Sequence, residues 1–305
     1  AGITSSYVEQ GIVSLYSKDS FNIYTLVDSF ISPYPANYEQ FGTSLVFGDN
    51  ELIIGAPNSN TYGSIYRLSY KTYTKITVAY NPYGSSGTTV KVSSTTGIEV
   101  GMKLQGYGFN SNQYVVEITD IHTIILNKAP ELTPSGDIHF NITAWGYDLS
   151  NTISITSGST GFGRNIVLSK DYSTLASSAS DQYNQYGEVA LYVYKKETTG
   201  YTLYDTITST NLNFAQGLSI SDSGEYIAVS DILFDDVEQN QGGVYVYKNT
   251  GTIYTKYKQL VDRSPENSKH FGSKISFMND YNTLVVYSDN ADSKFDLIID
   301  GGNTT

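Results

Sequence analysis

The residues of this chain that could hold a cation or move a proton are few and scattered. Asp231, Asp235, Asp236 and Glu238 form its one acid-rich loop. Calcium takes ~6–8 oxygen ligands, so this loop could hold Ca2+ weakly; the competing reading is a solvated surface loop. Asp49, Asp171, Asp222 and Asp280 each stand alone in a turn that lacks the Asp-x-Asp-x-Asp-Gly spacing of a calcium loop, and read as turn formers that accept backbone hydrogen bonds. Asp235 and Asp236 are adjacent, so in an extended chain their carboxylates point apart and do not suit a two-carboxylate mechanism. The three histidines, His122, His139 and His270, belong to no metalloprotease phrase, and neither a Gly-x-Ser-x-Gly elbow nor a phosphate loop is present. Gly106-Tyr107-Gly108-Phe109 lacks the third glycine and following helix of a phosphate loop and reads as a turn. No catalytic residue is assigned, and the expectation is a protein that is not an enzyme.

The elements that would position these groups announce themselves by repetition. Phe41-Gly42-Thr43-Ser44-Leu45, Phe162-Gly163-Arg164-Asn165-Ile166, Phe214-Ala215-Gln216-Gly217-Leu218 and Phe271-Gly272-Ser273-Lys274-Ile275 are four statements of one phrase. Each is followed by an Asp-containing turn and an apolar run, such as Leu52-Ile53-Ile54 or Ile227-Ala228-Val229. A glycine then opens an alternating strand, as in Gly11-Ile12-Val13, Gly63-Ser64-Ile65, Gly187-Glu188-Val189 and Gly243-Val244-Tyr245. A fourth run comes last: Tyr24-Thr25-Leu26-Val27-Asp28-Ser29-Phe30 matches Tyr201-Thr202-Leu203-Tyr204-Asp205-Thr206-Ile207. Four short β runs repeating every ~50–60 residues predict four-stranded antiparallel sheets in a propeller or solenoid. Leu45, Ile166, Leu218 and Ile275 are then expected to lie buried around one axis.

One interval breaks the rhythm. The glycine-to-phenylalanine spacing is 30 residues for Gly11–Phe41 and 28 for Gly243–Phe271, but 99 for Gly63–Phe162. About 70 residues are inserted, and loops tolerate this because closure entropy grows only logarithmically with length. Residues 76–145 therefore read as a small inserted β domain of five or six strands, flanked by propeller segments 1–75 and 146–305. Ile76–Tyr80 and Ile138–Ile142 are expected to pair at its base, Asp148–Ile155 to be the displaced outer strand, and the insertion to touch the blades little. The opening outer half-repeat and the closing inner half-repeat suggest part of a longer chain, with a whole or partial ring of blades.

Composition agrees with an all-β chain. It has 28 Tyr and 12 Phe, residues that fit pleated, half-buried surfaces. No cysteine is present, which excludes disulfides and thiolate chemistry. The net charge of −12 opposes binding to phosphate backbones, so nucleic acid is not an expected partner. No apolar run approaches the ~20 residues that would span a bilayer, and membrane insertion is not expected.

Phe41-Gly42 followed by Gly55-Ala56-Pro57 and Gly63-Ser64-Ile65-Tyr66 resembles the FG-GAP repeat of integrin-α-type β-propellers. The resemblance covers about 235 residues by subtraction of the insertion from 305. Ser178-Ala179-Ser180, Val229-Ser230-Asp231 and Tyr287-Ser288-Asp289 replace Gly-Ala-Pro in the other copies, and Ala215 replaces a glycine. The inserted segment, through Val92–Met102, Ile118-Thr119-Asp120 and Ile124-Ile125-Leu126, is similar to small β modules in structural proteins of tailed bacteriophages. Together these imply a non-enzymatic structural or adhesive virion protein of a tail, baseplate or fibre. Its partners would be other virion proteins, copies of itself, or a host-surface glycan or protein. The alternatives are a cell-surface or secreted FG-GAP adhesin and, more distantly, a propeller glycan hydrolase, for which Arg164 is the one arginine on an inner strand. On one propeller face Tyr62, Tyr183 and Tyr186 would lie beside amides, able to stack on a sugar or protein partner or simply to pack in solvated loops.

Overall fold

The computed structural model describes residues 8–72, 76–110, 113–141, 143–158, 160–180, 189–211, 214–264, 266–278, 283–289 and 295–299. These residues form an all-β chain whose one helical element is a 3-10 turn at Leu149–Asn151. An opening hairpin, β1 (Val13–Lys18) and β2 (Tyr24–Phe30), is a two-stranded sheet. β3 (Ser44–Phe47), β4 (Glu51–Ala56) and β5 (Ser64–Thr72) follow. The inserted strands are β6 (Ile76–Ser86), β7 (Thr89–Val92), β8 (Lys103–Tyr107), β9 (Val115–Asp120), β10 (Thr123–Leu126) and β11 (Ser135–Asn141). They form one six-stranded sheet in the order β8-β11-β6-β7-β10-β9. Its core is Val78, Val90, Leu104, Val115, Ile124, Ile138 and Phe140. Ile76 pairs with Phe140 and Val78 with Ile138, the expected closure at the base.

β12 (Thr143–Tyr147) and β13 (Ile153–Ser154) both pair with β5, completing the sheet β12-β5-β4-β3. Two four-stranded sheets come next. They are β14 (Phe162–Leu168), β15 (Thr174–Ala179), β16 (Val189–Glu197) and β17 (Gly200–Ser209), then β18 (Phe214–Ile220), β19 (Tyr226–Asp231), β20 (Gly243–Asn249) and β21 (Tyr254–Leu260). β22 (Phe271–Met278), β23 (Thr283–Ser288) and β24 (Phe295–Ile299) make a last, three-stranded sheet.

Each repeated phrase has a mechanical meaning. Phe41, Phe162, Phe214 and Phe271 are all buried. The next residue has a left-handed backbone in every copy: Gly42 at φ 90°, Gly163 at 90°, Ala215 at 64° and Gly272 at 99°. Glycine is used there because a side chain in that conformation meets its own carbonyl. The turn slips the register, so Phe162, Phe214 and Phe271 pair at one end of β15, β19 and β23 and the ladder resumes three or four residues later. The glycine of the third run closes a second contact. A Cβ on Gly63 would overlap the Phe162 carbonyl, and one on Gly242, which takes this place instead of the expected Gly243, the Phe271 backbone. The Phe162 amide donates to Tyr62 O at 2.8 Å and the Phe271 amide to Gln241 O at 2.8 Å. Gly11 and Phe41 repeat the arrangement, with the Phe41 amide on Gln10 O at 2.9 Å. In these three copies the third run thus clasps the next phrase, while Gly187 lies outside the described residues.

Two expectations are corrected. The insertion ends before residue 145: Trp145 pairs with Tyr70 on β5, so the outer strand expected at 148–155 begins earlier, at Thr143–Tyr147, and resumes inside the expected stretch at Ile153–Ser154. The inserted sheet is also not a separate unit. The chain forms two compact units, Ala1–Gly42, Asn50–Ile53 and Tyr66–Thr152 in one, and Thr43–Asp49, Ile54–Ile65 and Ile153–Thr305 in the other. Within the first, Tyr114 stacks on Tyr147 with ring centroids 4.8 Å apart, Gly101 lies against the Tyr147 carbonyl, and Lys103 forms an ion pair with Asp28 while lying over the Phe30 ring. Aromatic and charged groups at the base of the insertion are too large and too costly to leave wet on one side, so they pack on the strands that carry it.

Candidate functional site

In the second unit the inner strands β3, β14, β18 and β22 follow one another as neighbours. Side chains tie each to the next. Ser44 Oγ donates to Gly163 O at 2.6 Å, Asn165 Nδ2 donates to Ala215 O at 3.1 Å and Gln216 O at 3.2 Å, and the Phe277 amide donates to Ser219 Oγ at 2.9 Å. Between these strands runs an open groove of about 290 Å3. It is lined by Ser44 and Leu45, Asn165 to Val167, Gln216 to Leu218, and Lys274 with Ile275.

This groove explains a failed expectation. Of the four aliphatics expected to be buried, only Ile166 is, at 6% exposure; Leu45 is 46% exposed, and Leu218 and Ile275 are half-buried. All four line the groove, where Leu45 is left exposed, while Leu218 and Ile275 also pack against the cores of their sheets. The third residue after each Phe (Ser44, Asn165, Gly217, Lys274) and the fourth (Leu45, Ile166, Leu218, Ile275) recur on every strand of the lining, which layers a polar or small row beside an aliphatic one. That offset is visible in the sequence as a repeat but not as a groove, because a hydrophobic pattern does not say whether the space beside a strand is filled. Arg164, the arginine weighed for carboxylate clamping, donates from Nε to Ser180 O at 2.7 Å.

The acid-rich loop is held by its own backbone. Asp231 closes β19, is 1% exposed and accepts from Asn211 Nδ2 at 2.5 Å. Asp235 Oδ1 accepts the Asn240 amide at 2.5 Å, and Gln241 Oε1 accepts the Val237 and Glu238 amides at 3.1 and 2.9 Å. Asp236 is exposed and Glu238 is half-buried. Among the described residues no three acidic or histidine side chains converge to hold a metal ion, so Asp231, Asp235, Asp236 and Glu238 are not brought together as a site. The turn reading of Asp171 is visible in its Oδ1, which accepts Ser169 Oγ at 2.5 Å and the Ser173 amide at 3.0 Å. Asp222 instead reaches the neighbouring repeat, accepting from Lys170 Nζ at 3.1 Å. Asp280 lies outside the described residues, as do Tyr183 and Tyr186. Tyr62 is half-buried, and its carbonyl serves the Phe162 clasp.

Burial pushes the Asp231 carboxyl above the usual 3.8, with Asp235 adding to the shift and the Asn211 and Leu233 donors opposing it. A carboxyl raised on folding stabilises the fold fully below its unfolded value and loses that contribution as pH rises through the folded one. Comparing denaturant stability of the protein and of Asp231→Asn from pH 3 to 7 is expected to show a fall with pH in the first that the second lacks; parallel profiles would contradict it.

No family model matches the sequence, and no curated protein matches it. Among solved structures, the crystal structure of the GH74 enzyme of Niastella koreensis is similar at 16% identity, covering 92% of this chain, with a TM-score of 0.31. This chain spans 40% of that one.

Proposed function

We propose that the chain is a non-enzymatic scaffold built as a β-propeller of FG-GAP-like four-stranded blades, serving as a structural or adhesive part of a virion tail, baseplate or fibre. Its contacts would be with other virion proteins, with copies of itself, or with a host-surface glycan or protein. The observation that carries this reading is where the polar groups of the inner strands go. Ser44, Arg164 and Asn165 all donate to main-chain carbonyls, at 2.6, 2.7 and 3.1–3.2 Å. Groups committed in this way fix strands and are not poised to take or give protons. Broad loop faces on a rigid repeat add weak contacts by multivalency, and the net charge of −12 keeps such a surface soluble.

The alternative placement is a cell-surface adhesin of the same repeat, and a propeller glycan hydrolase stands behind it. Incubation with host-surface glycans separates the chemical classes. The scaffold reading expects binding or no interaction and unaltered glycan by mass spectrometry; released sugar, lost on Asn165→Ala and Lys274→Ala, would favour the hydrolase.

A further inference from the structure

The β6–β7 hairpin of the inserted sheet does not close evenly. Tyr80 pairs with Val92 and Asn81 with Lys91, then pairing lapses until Ser86 meets Thr89, so the chain between swings out as a bulge. Ser85 pins that bulge, its Oγ donating to Asn81 O at 2.7 Å and accepting the Lys91 amide at 2.9 Å. The loop from β10 to β11 stands opposite and is held as firmly. Gln113 Nε2 donates to Ala129 O at 2.7 Å, the Glu131 amide to Gly108 O at 3.1 Å, and Asn110 Nδ2 to Glu131 Oε1. Between these two walls lies a cleft of about 360 Å3, within the ~300–1,000 Å3 usual for small-ligand sites. Every residue of its lining is described, and all belong to the inserted sheet and its loops, far in sequence from either end of the chain.

The lining has a definite chemistry. Tyr80, Pro130 and Pro134 are half-buried and give the cleft flat apolar faces. The hydroxyls of Tyr80, Ser86, Thr89 and Thr133 make no hydrogen bond to the protein among the described residues. A ligand that displaces water from them must return hydrogen bonds, which disfavours a purely apolar occupant. No cation lines the cleft, and its one charged group is the Glu131 carboxylate. An anionic ligand would meet that carboxylate and the net charge of −12. A cationic one would find Glu131 already engaged, by Asn110 and by Lys128 Nζ at 3.7 Å. The chemistry left is a neutral molecule with apolar C–H faces and several hydroxyls.

We propose that this cleft is a saccharide site that takes a neutral mono- or disaccharide of hexoses. A pyranose ring lies with its C–H face on Tyr80 and the prolines, and its hydroxyls pair with Ser86, Thr89, Thr133 and the Glu131 carboxylate. Glycan contact, part of the adhesive reading on which this rests, then belongs to the insertion rather than to Tyr62, Tyr183 and Tyr186. Sugar binding measures the cleft and particle labelling measures the placement, so the two can fail separately.

The probes are maltose, cellobiose and lactose, with N-acetylneuraminic acid as the anionic control, each offered to the intact protein and followed by saturation-transfer NMR. At least one neutral sugar is expected to receive saturation from the protein, and the anionic one to receive none. Ser86→Trp and Thr133→Trp sit at exposed positions on opposite walls, so each should fill the cleft and weaken binding at least tenfold without changing the thermal midpoint. Should one of them unfold the protein, the variant on the other wall decides. Ile121→Trp, at an exposed position outside the lining, should leave binding unchanged. The proposal is overturned if no neutral sugar binds, if binding survives both cleft variants, if all three variants weaken it alike, or if N-acetylneuraminic acid binds as tightly.

Discussion

Lys269→Met is expected to destabilise the fold by about 3–5 kcal/mol, the usual cost of leaving one partner of a buried ion pair uncompensated. Lys269 Nζ lies 2.6 Å from Asp262 Oδ2, and both side chains are buried. The ammonium also donates to Ser264 O at 2.9 Å, and Asp262 Oδ1 accepts the Ser264 amide at 2.8 Å, so the pair organises the approach to Phe271. The first repeat solves the same problem with other chemistry. Position 262 corresponds to Ser32 and position 269 to Glu39, each nine or two residues before its phenylalanine. There Ser32 Oγ donates to Glu39 Oε1 at 2.6 Å and the Ala36 amide to Glu39 Oε2 at 3.2 Å. The double variant Asp262→Ser with Lys269→Glu should therefore recover most of the loss. Urea denaturation of the three proteins checks this; a neutral Lys269→Met would show that the pair is not coupled to folding.

Gly63→Ala is the second large effect, at about 2–5 kcal/mol, combining a left-handed backbone with forced displacement of neighbours. Gly63 sits at φ 105°, and its new methyl would overlap the Phe162 carbonyl and lie 2.8 Å from Pro57 O. Gly251→Ala is the control: φ is 96° with nothing within 4 Å, so only the backbone term of about 1–2 kcal/mol applies. Equal thermal shifts for the two would mean that the clasp is not close-packed.

The repeat grammar was the most legible part of the chain because its residues answer to local rules. Phe-Gly marks a buried ring followed by a left-handed turn, and the later glycine marks a close backbone approach; both are demands that few residue types meet. The pairing of Ile76–Val78 with Ile138–Phe140 was legible for the same reason, as β-branched and aromatic runs bounding a polar insertion. Trp145 reads as part of the insertion because an apolar run does not declare which of two sheets it joins. The exposure of Leu45 is not legible because an aliphatic residue reads as core unless the space opposite is known to be open. The Glu39 and Lys269 sites were invisible as equivalents, since opposite charges satisfy the same buried position through different partners.

The acid-rich loop shows the converse. Its residues suggest a cation, but Asp231 already accepts the Leu233 amide, Asp235 the Asn240 amide, and Gln241 the Val237 and Glu238 amides that the turn leaves over. Sequence spacing alone does not separate a carboxylate that awaits a ligand from one that holds its own chain.

Cryo-electron microscopy of intact particles carrying a tagged copy of the chain tests the proposed scaffold most directly. The account predicts tag density on a tail, baseplate or fibre, with strands β3, β14, β18 and β22 as neighbours around the groove lined by Ser44, Asn165, Gln216 and Lys274. Absence of the tag from particles, with display on a cell surface instead, would contradict it.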